Sequence, residues 1–311
     1  MTPRVSVIVP TVARPELLAA SVASALGQTV KDIEVLVVND GGDLARDGTP
    51  AGEPRVQHLW QTNQGAAAAR NFGAARARGE WLAFLDDDDL WLPGKLERQL
   101  ALAQHAPDAG MIHTDFLVLE NDRTRLGDRV LPRERIPSGW VGRELFLENF
   151  VLTSSVLMRR DLFARLGGFD TGLRRIEDYE LWLRAARQAP IGFVPEALTV
   201  YRAHVGQKSN NEMEKHLLLP VIFERFVRHH PEVWQAYGAA AVRRRLNRLR
   251  WRAGYANWLA GSYGTARVQF LMAWRWQPRN LRPLLYALAC GGGPQAVQLG
   301  QTLKRALSRA G

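Results

Sequence analysis

Trp81-Leu82-Ala83-Phe84-Leu85-Asp86-Asp87-Asp88-Asp89 sets five apolar residues directly against four carboxylates. The apolar run is short and reads as a buried strand. Four adjacent aspartates repel one another, so a fold keeps them only where something offsets their charge. A divalent cation is the obvious candidate, because Mg²⁺ and Mn²⁺ prefer hard oxygen ligands. The bland alternative is a solvated acidic loop. The strand before the run and Leu90-Trp91-Leu92-Pro93 behind it weigh against that.

The same arrangement recurs upstream. Val5 to Val9 is rich in β-branched residues and stops at Pro10-Thr11; Ile33 to Val38 leads into Asn39-Asp40-Gly41-Gly42; Val56 to Trp60 reads as a third strand. Between them, Pro15 to Leu26 carries Leu18, Val22 and Leu26 at helical spacing, with Pro at its start and Gly27 at its end. Ala66 to Ala77 is helical by composition. This alternation predicts an α/β fold, a mostly parallel sheet with flanking helices. In such sheets ligands bind beyond the carboxyl ends of strands. Pro10-Thr11, Asp40 and Asp86 to Asp89 all fall there.

Further along, Met111 to Leu119, Thr153 to Met158, Ile191 to Val194 and Ala197 to Tyr201 read as strands. Asp161 to Leu166 reads as a short helix ended by Gly167-Gly168. Glu177 to Gln188 reads as an amphipathic helix carrying Tyr179, Leu181, Trp182 and Leu183. Beyond about Lys215 the pattern is helical. The composition changes at the same place: His216 to Gly311 holds 15 Lys+Arg against 2 Asp+Glu, a net of +13. Met1 to Lys215 holds 26 against 29, a net of −3. Five of the ten tryptophans lie in the basic part. Two regions are therefore expected, residues 1–215 and a basic, Trp-rich helical region at 216–311.

Cys290 is the single cysteine of the 311 residues, which excludes an intrachain disulfide and fits a reducing compartment. It reads as a small buried apolar residue. The start of the chain does not read as a signal peptide, and no stretch approaches 18 uninterrupted apolar residues, so no transmembrane helix is expected. These readings predict a cytoplasmic protein. Arg243-Arg244-Arg245, Arg248, Arg250 and Arg252 among Val242, Leu246 and Leu249 form an amphipathic arginine-rich pattern. An anionic membrane surface, on the cytoplasmic face, is the partner it suggests. Gly254, Ala266, Phe270, Ala273 and Pro278 look like half of a tetratricopeptide-type repeat without a second copy, and so predict a helical hairpin. No nucleic-acid motif is recognised, and nucleic acid ranks last among partners.

One set of landmarks is specific in its order: Val7-Ile8-Val9-Pro10-Thr11, Val37-Val38-Asn39-Asp40-Gly41, Asn63-Gln64-Gly65 through Arg70-Asn71, Phe84 to Asp89, Pro93 to Leu96, and Glu177-Asp178 before Leu181-Trp182. Through them the chain resembles the family 2 glycosyltransferases, which have the GT-A fold, over roughly residues 4–210. The resemblance implies sugar transfer from a nucleotide-sugar donor, a uridine diphosphate sugar first, to a glycan, lipid-linked or protein acceptor, with inversion and with Mn²⁺ or Mg²⁺. It implies that Pro10, Thr11, Asp40 and Arg70 line the nucleotide site, with Asp40 accepting from the base. It places Asp88 on the metal, Asp86 or Asp87 at the ribose and metal shell, and His204 as a further ligand. Asp178 takes the general-base role. Glu177 is assigned to capping its helix, and Asp89 to the turn that follows. Gly206 to Asn211 reads as a loop that closes over the substrates. Two alternatives stay open: a nucleotidyltransferase using a similar sheet, and a non-catalytic binding module derived from the same fold.

Overall fold

The computed structural model describes residues 2–12, 14–41, 52–120, 123–126, 136–204 and 212–292. The chain forms two compact units, residues 1–207 and 208–311.

The first unit opens with β1 (Val5–Thr11), α1 (Pro15–Leu26), β2 (Ile33–Asp40), β3 (Val56–Gln61), α2 (Ala66–Ala74) and β4 (Trp81–Phe84). Every residue of β1, β2 and β4 is buried, as strands covered on both faces must be. β3 is the exposed edge, and its Trp60 is half open. Then come β5 (Leu90–Trp91), α3 (Lys95–His105), β6 (Met111–Glu120), β7 (Arg123–Leu126) and α4 (Gly142–Leu147). A 3₁₀ turn at Thr153–Ser155 precedes β8 (Val156–Arg159), α5 (Arg160–Arg165), α6 (Glu177–Ala185) and β9 (Ile191–Arg202).

The sheet runs β3-β2-β1-β4-β8-β6-β9-β5, with β7 beside β6. The first four strands in that order are parallel. Beyond β4 the sheet is mixed: β8 is antiparallel to both β4 and β6, whereas β6 and β9 are parallel. The carboxyl ends of β1, β2 and β4 therefore open on one edge, where Thr11, Asp40 and the aspartate run follow. Gly73 lets α2 approach closely, since a Cβ there would meet Ile8 Cγ2 at 2.8 Å.

Two expected boundaries differ for physical reasons. The two strands read at Ile191 to Val194 and Ala197 to Tyr201 are one strand, β9. Its register against β6 shifts beside Pro195-Glu196, where proline offers no N–H to a ladder. Thr153 to Ser155 tightens into a 3₁₀ turn ahead of β8.

The second unit contains α7 (Glu212–His229), α8 (Val233–Ala236), α9 (Ala239–Leu259), α10 (Tyr263–Trp276) and α11 (Arg282–Ala289). A Cβ on Gly254 of α9 would meet the Phe270 ring of α10 at 2.7 Å, so this glycine permits the contact that joins them. Around it Trp258, Ala266, Phe270 and Tyr286 form a buried cluster with Trp251 and Tyr255 against it. Cys290 is buried, and burial pushes its thiol up to about 11, the state of an inert side chain. The apolar stripe of α9 is not free to meet a bilayer. Val242, Leu246 and Leu249 are buried, and so are Arg245 and Arg250. Arg250 Nε donates to Glu224 Oε1 at 2.7 Å and its Nη1 to Gln269 Oε1 at 2.8 Å. No helix among the described residues is long and apolar enough to cross a membrane.

Candidate active site

The four aspartates follow β4 and diverge at once. Asp86 is the most open, with 30% of its side chain exposed. Asp87 points into the protein, where Thr11 Oγ1 donates to its Oδ2 at 2.6 Å and Arg14 holds both of its oxygens. Asp88 takes Arg14 Nη1 at 2.8 Å and lies 3.1 Å from His204 Nε2. Asp89 is buried; Ser154 Oγ donates to it at 2.5 Å and the Arg202 amide at 3.2 Å. The Arg202 guanidinium gathers the backbone carbonyls of Leu17, Asp87 and Asp88, and Ser21 donates to the carbonyls of Asp87 and Asp89. Much of the charge offset that the sequence demanded is thus supplied by arginine.

Burial raises the Asp87 carboxyl to about 6, and Asp88 and Asp86 add to the rise, against Thr11 and Arg14. Burial also lifts Asp89 well above the usual carboxylate range, helped by Asp86 and Asp88. Burial disfavours the Arg14 charge, but Asp87 and Asp88 outweigh it and hold the guanidinium protonated.

Carboxylate oxygens of Asp86, Asp88 and Asp89 all come within 4.8 Å of one another. An all-carboxylate set of hard oxygens fits Mn²⁺ or Mg²⁺. His204 touches Asp88 but is not part of that grouping. Asp87, spent on Thr11 and Arg14, is not part of it either.

Arg70 does not open onto solvent. It is buried in α2, donating from Nη2 to Asp86 Oδ1 at 2.6 Å and from Nη1 to Glu177 Oε1 at 2.9 Å. Asp86, Glu177 and Asp178 overcome its burial and keep it charged. Its guanidinium lies 5.3 Å from the Phe169 ring centroid, and the neighbouring Asn71 exchanges two hydrogen bonds with the Phe169 backbone, at 2.8 and 2.9 Å. Glu177 stands in the first turn of α6, where a helix N-terminus favours negative charge, and it also pairs with Arg70. The residue before it, Ile176, has φ 66° and is the sole described non-glycine with positive φ. For a β-branched side chain this is strained backbone.

Asp178, the first-turn neighbour of Glu177, keeps part of its surface open. Thr153 Oγ1 donates to its Oδ2 at 2.8 Å and the Tyr179 amide to its Oδ1 at 2.7 Å. Burial raises its pKa, the Glu177 charge adds to the rise, and the two hydrogen bonds and Arg70 oppose it. The Thr153–Ser155 turn thus holds both groups of acids: Thr153 reaches Asp178 and Ser154 reaches Asp89. The Ser154 carbonyl also accepts Trp91 Nε1 at 2.7 Å. Sequence reasoning missed this turn, whose one signal was three hydroxyl-capable residues opening a strand.

Asp40 is almost wholly buried and its carboxylate serves its own turn. It accepts from Gln61 Nε2 and from the amides of Gln64 and Gly65, each at 2.8 Å. Pro10 is buried in the last residues of β1. Two cavities among the described residues lie elsewhere. One of about 540 Å³ is lined by Glu34, Arg55, Arg76 and Arg78, away from the carboxylates. Gly206 to Asn211, the expected closing loop, lies outside the described residues.

The sequence model of glycosyl transferase family 2 matches residues 6–167, just over half of the chain. The chain belongs to this family. An uncharacterized glycosyltransferase of Rickettsia typhi is 28% identical over 221 residues, covering 69% of this chain and 70% of the relative. One from Haemophilus influenzae is 29% identical over 213 residues, covering 66% and 70%. Among solved structures, Staphylococcus aureus TarS 1-349 in complex with UDP-GlcNAc superposes with a TM-score of 0.59 at 16% identity, covering 91% of this chain and 90% of that one. The mannosyltransferase PcManGT from Pyrobaculum calidifontis, in complex with GDP-Man and Mn²⁺, gives 0.60 at 20% identity, covering 99% and 81%. At such identities these likenesses speak for the fold, which is that of the GT-A glycosyltransferases. The chain is a glycosyltransferase, and the nucleotidyltransferase and binding-module alternatives fall away.

Proposed function

We propose that this glycosyltransferase moves a sugar from a nucleoside diphosphate sugar, a uridine diphosphate sugar first, to a hydroxyl of a glycan, lipid-linked or protein acceptor, with inversion. The observation that carries the reading is the junction of Asp178 with the aspartate run. Arg70 ties Asp86 to Glu177, and the Thr153–Ser155 turn ties Asp178 to Asp89.

Asp178 is the general base. Its raised pKa makes it a better proton acceptor than an ordinary surface carboxylate, and its two donors fix the direction of its lone pairs. The acceptor hydroxyl gives its proton to Asp178 as its oxygen bonds to the anomeric carbon, and the bond from that carbon to the diphosphate breaks. Glu177 is occupied by Arg70 and is not offered as a covalent nucleophile, which supports a single displacement. Asp86, Asp88 and Asp89 would hold Mn²⁺ or Mg²⁺, with His204 beside Asp88. When bound, such an ion supplies Lewis-acid stabilisation of charge on the leaving diphosphate. Asp87, Thr11 and Arg14 position the run from behind. Asp40 shapes the Asn63-Gln64-Gly65 turn and keeps one acceptor site on Oδ2 for a base N–H. Both uracil and guanine present such a group, so Asp40 selects neither. Pro10 and Arg70 contribute as wall and clamp.

The test is nucleoside diphosphate release from a panel of nucleotide sugars with Mn²⁺, by the wild type, Asp88→Ala and Asp178→Asn. Release of one nucleoside diphosphate, lost in Asp88→Ala, is the expected result. Absence of both release and metal-dependent binding across the panel would overturn the reading.

A further inference from the structure

Not one Asp or Glu occurs after Glu232, while Arg and Lys continue to the end of the chain. Glu224, one of the two acids in the basic region, is taken up by Arg250 and by Trp276 Nε1 at 3.0 Å. The second unit therefore carries its positive charge outward. Its buried cluster uses one side of α10 and α11, through Ala266, Phe270, Tyr286 and Ala287. The other sides are apolar and open. On α10 Val268, Leu271 and Met272 share one face and are 53%, 38% and 37% exposed. Leu281, Leu285 and Leu288, at the start of α11 and along it, are 58%, 42% and 65% exposed. A spacing of four and then three puts these leucines on one helical face. Exposed Arg267 and Arg275 flank the first set, Arg279 precedes the second and Arg282 lies within it.

We propose that the open faces of α10 and α11 form a docking surface for an anionic lipid bilayer. Aliphatic side chains ringed by arginine suit the boundary between acyl chains and acidic headgroups. Nucleic acid would use the arginines and leave the leucines exposed to water. A second copy of this chain would bring its own uncompensated positive charge to the same place. The surface lies on other helices than the arginine-rich α9, whose apolar stripe is already covered. The proposal is independent of the transfer chemistry.

The test is flotation of the full chain with vesicles of phosphatidylcholine alone or mixed with phosphatidylglycerol. The wild type should float with the mixed vesicles and not with the neutral ones. Val268→Glu/Leu288→Glu and, separately, Arg275→Gln/Arg279→Gln should each lower the bound fraction about tenfold. Donor hydrolysis in solution should be unchanged in both. The arginine variant decides the matter should the glutamate variant fold poorly. Equal flotation of the arginine variant, or no preference of the wild type for anionic vesicles, overturns the proposal. So does a dimer of the wild type that either variant turns into a monomer, or binding to an RNA or DNA duplex in the absence of vesicle binding.

Discussion

The two units handle charge in opposite ways. In the first, acids and arginines meet inside the protein: Asp87 and Asp88 with Arg14, Asp86 and Glu177 with Arg70. In the second, arginine outnumbers acid and most of the surplus faces outward, with Arg245 and the Arg250–Glu224 pair buried. The first arrangement fixes geometry, since each pair constrains where a carboxylate can sit. The exposed surplus of the second leaves a field that acts on other molecules.

The sharpest blow to the first arrangement is Asp178→Asn. It keeps the Thr153 bond and removes the base, so acceptor transfer should fall about 10³-fold. The melting temperature should hold or rise, because a carboxylate whose charge its surroundings disfavour has become neutral. Equal loss of folding would make Asp178 structural. Next, Arg70→Met leaves Asp86 and Glu177 facing each other without their cation, and should cost about 3–5 kcal/mol in denaturant unfolding. If that cost is below about 1 kcal/mol, internal pairing does not hold this unit together.

Two effects of pH follow. The folded Asp87, at about 6, keeps a proton that the unfolded chain, near 3.8, releases. Its contribution to stability is therefore largest below pH 3.8 and falls as pH rises towards 6, a change of about 3 kcal/mol. Asp87→Asn should flatten that slope in thermal melts across the window. The Thr153 hydroxyl stabilises the charged form of Asp178, so Thr153→Val should move the acid limb of the rate profile to higher pH. An unmoved limb would detach Thr153 from the base. The smallest effect separates the units directly. Raising NaCl from about 0.05 to about 0.5 M should leave the buried pairs of the first unit intact, with its melting temperature nearly constant, while releasing the chain from anionic vesicles.

How much of this could be read from the sequence depended on range. The strands β1, β2 and β4 and the helix α1 were legible because burial on both faces and the Pro15–Gly27 punctuation are local signals. Their carboxyl ends meet at one edge of the sheet, followed by Thr11, Asp40 and the aspartate run. Asp178 and the aspartate run were recognisable by order. What could not be read was which charge answers which. Arg70 and Glu177 are 107 positions apart, and Thr11 and Asp87 are 76 apart. No periodicity carries such pairings, so neither the Arg70–Glu177 pair nor the Thr11–Asp87 bond was foreseen. The Thr153–Ser155 turn was hidden for the same reason: its hydroxyls acquire meaning only from Asp89 and Asp178. In the second unit, hairpin packing was visible in Gly254 and Phe270. The covered stripe of α9 was not, because an amphipathic helix in a sequence does not say what its apolar side meets.

Arg70 also bears on how this enzyme can be rebuilt. It is a covalent part of the early sheet region and an electrostatic partner of α6, so the two can be exchanged separately only between relatives that both carry the pair. A chimera with a crossover between residues 86 and 177 inherits the arginine from one parent and its glutamate from the other. Where one parent lacks either residue, such a crossover leaves the other charge buried and unpaired, whereas crossovers after α6 keep the two together.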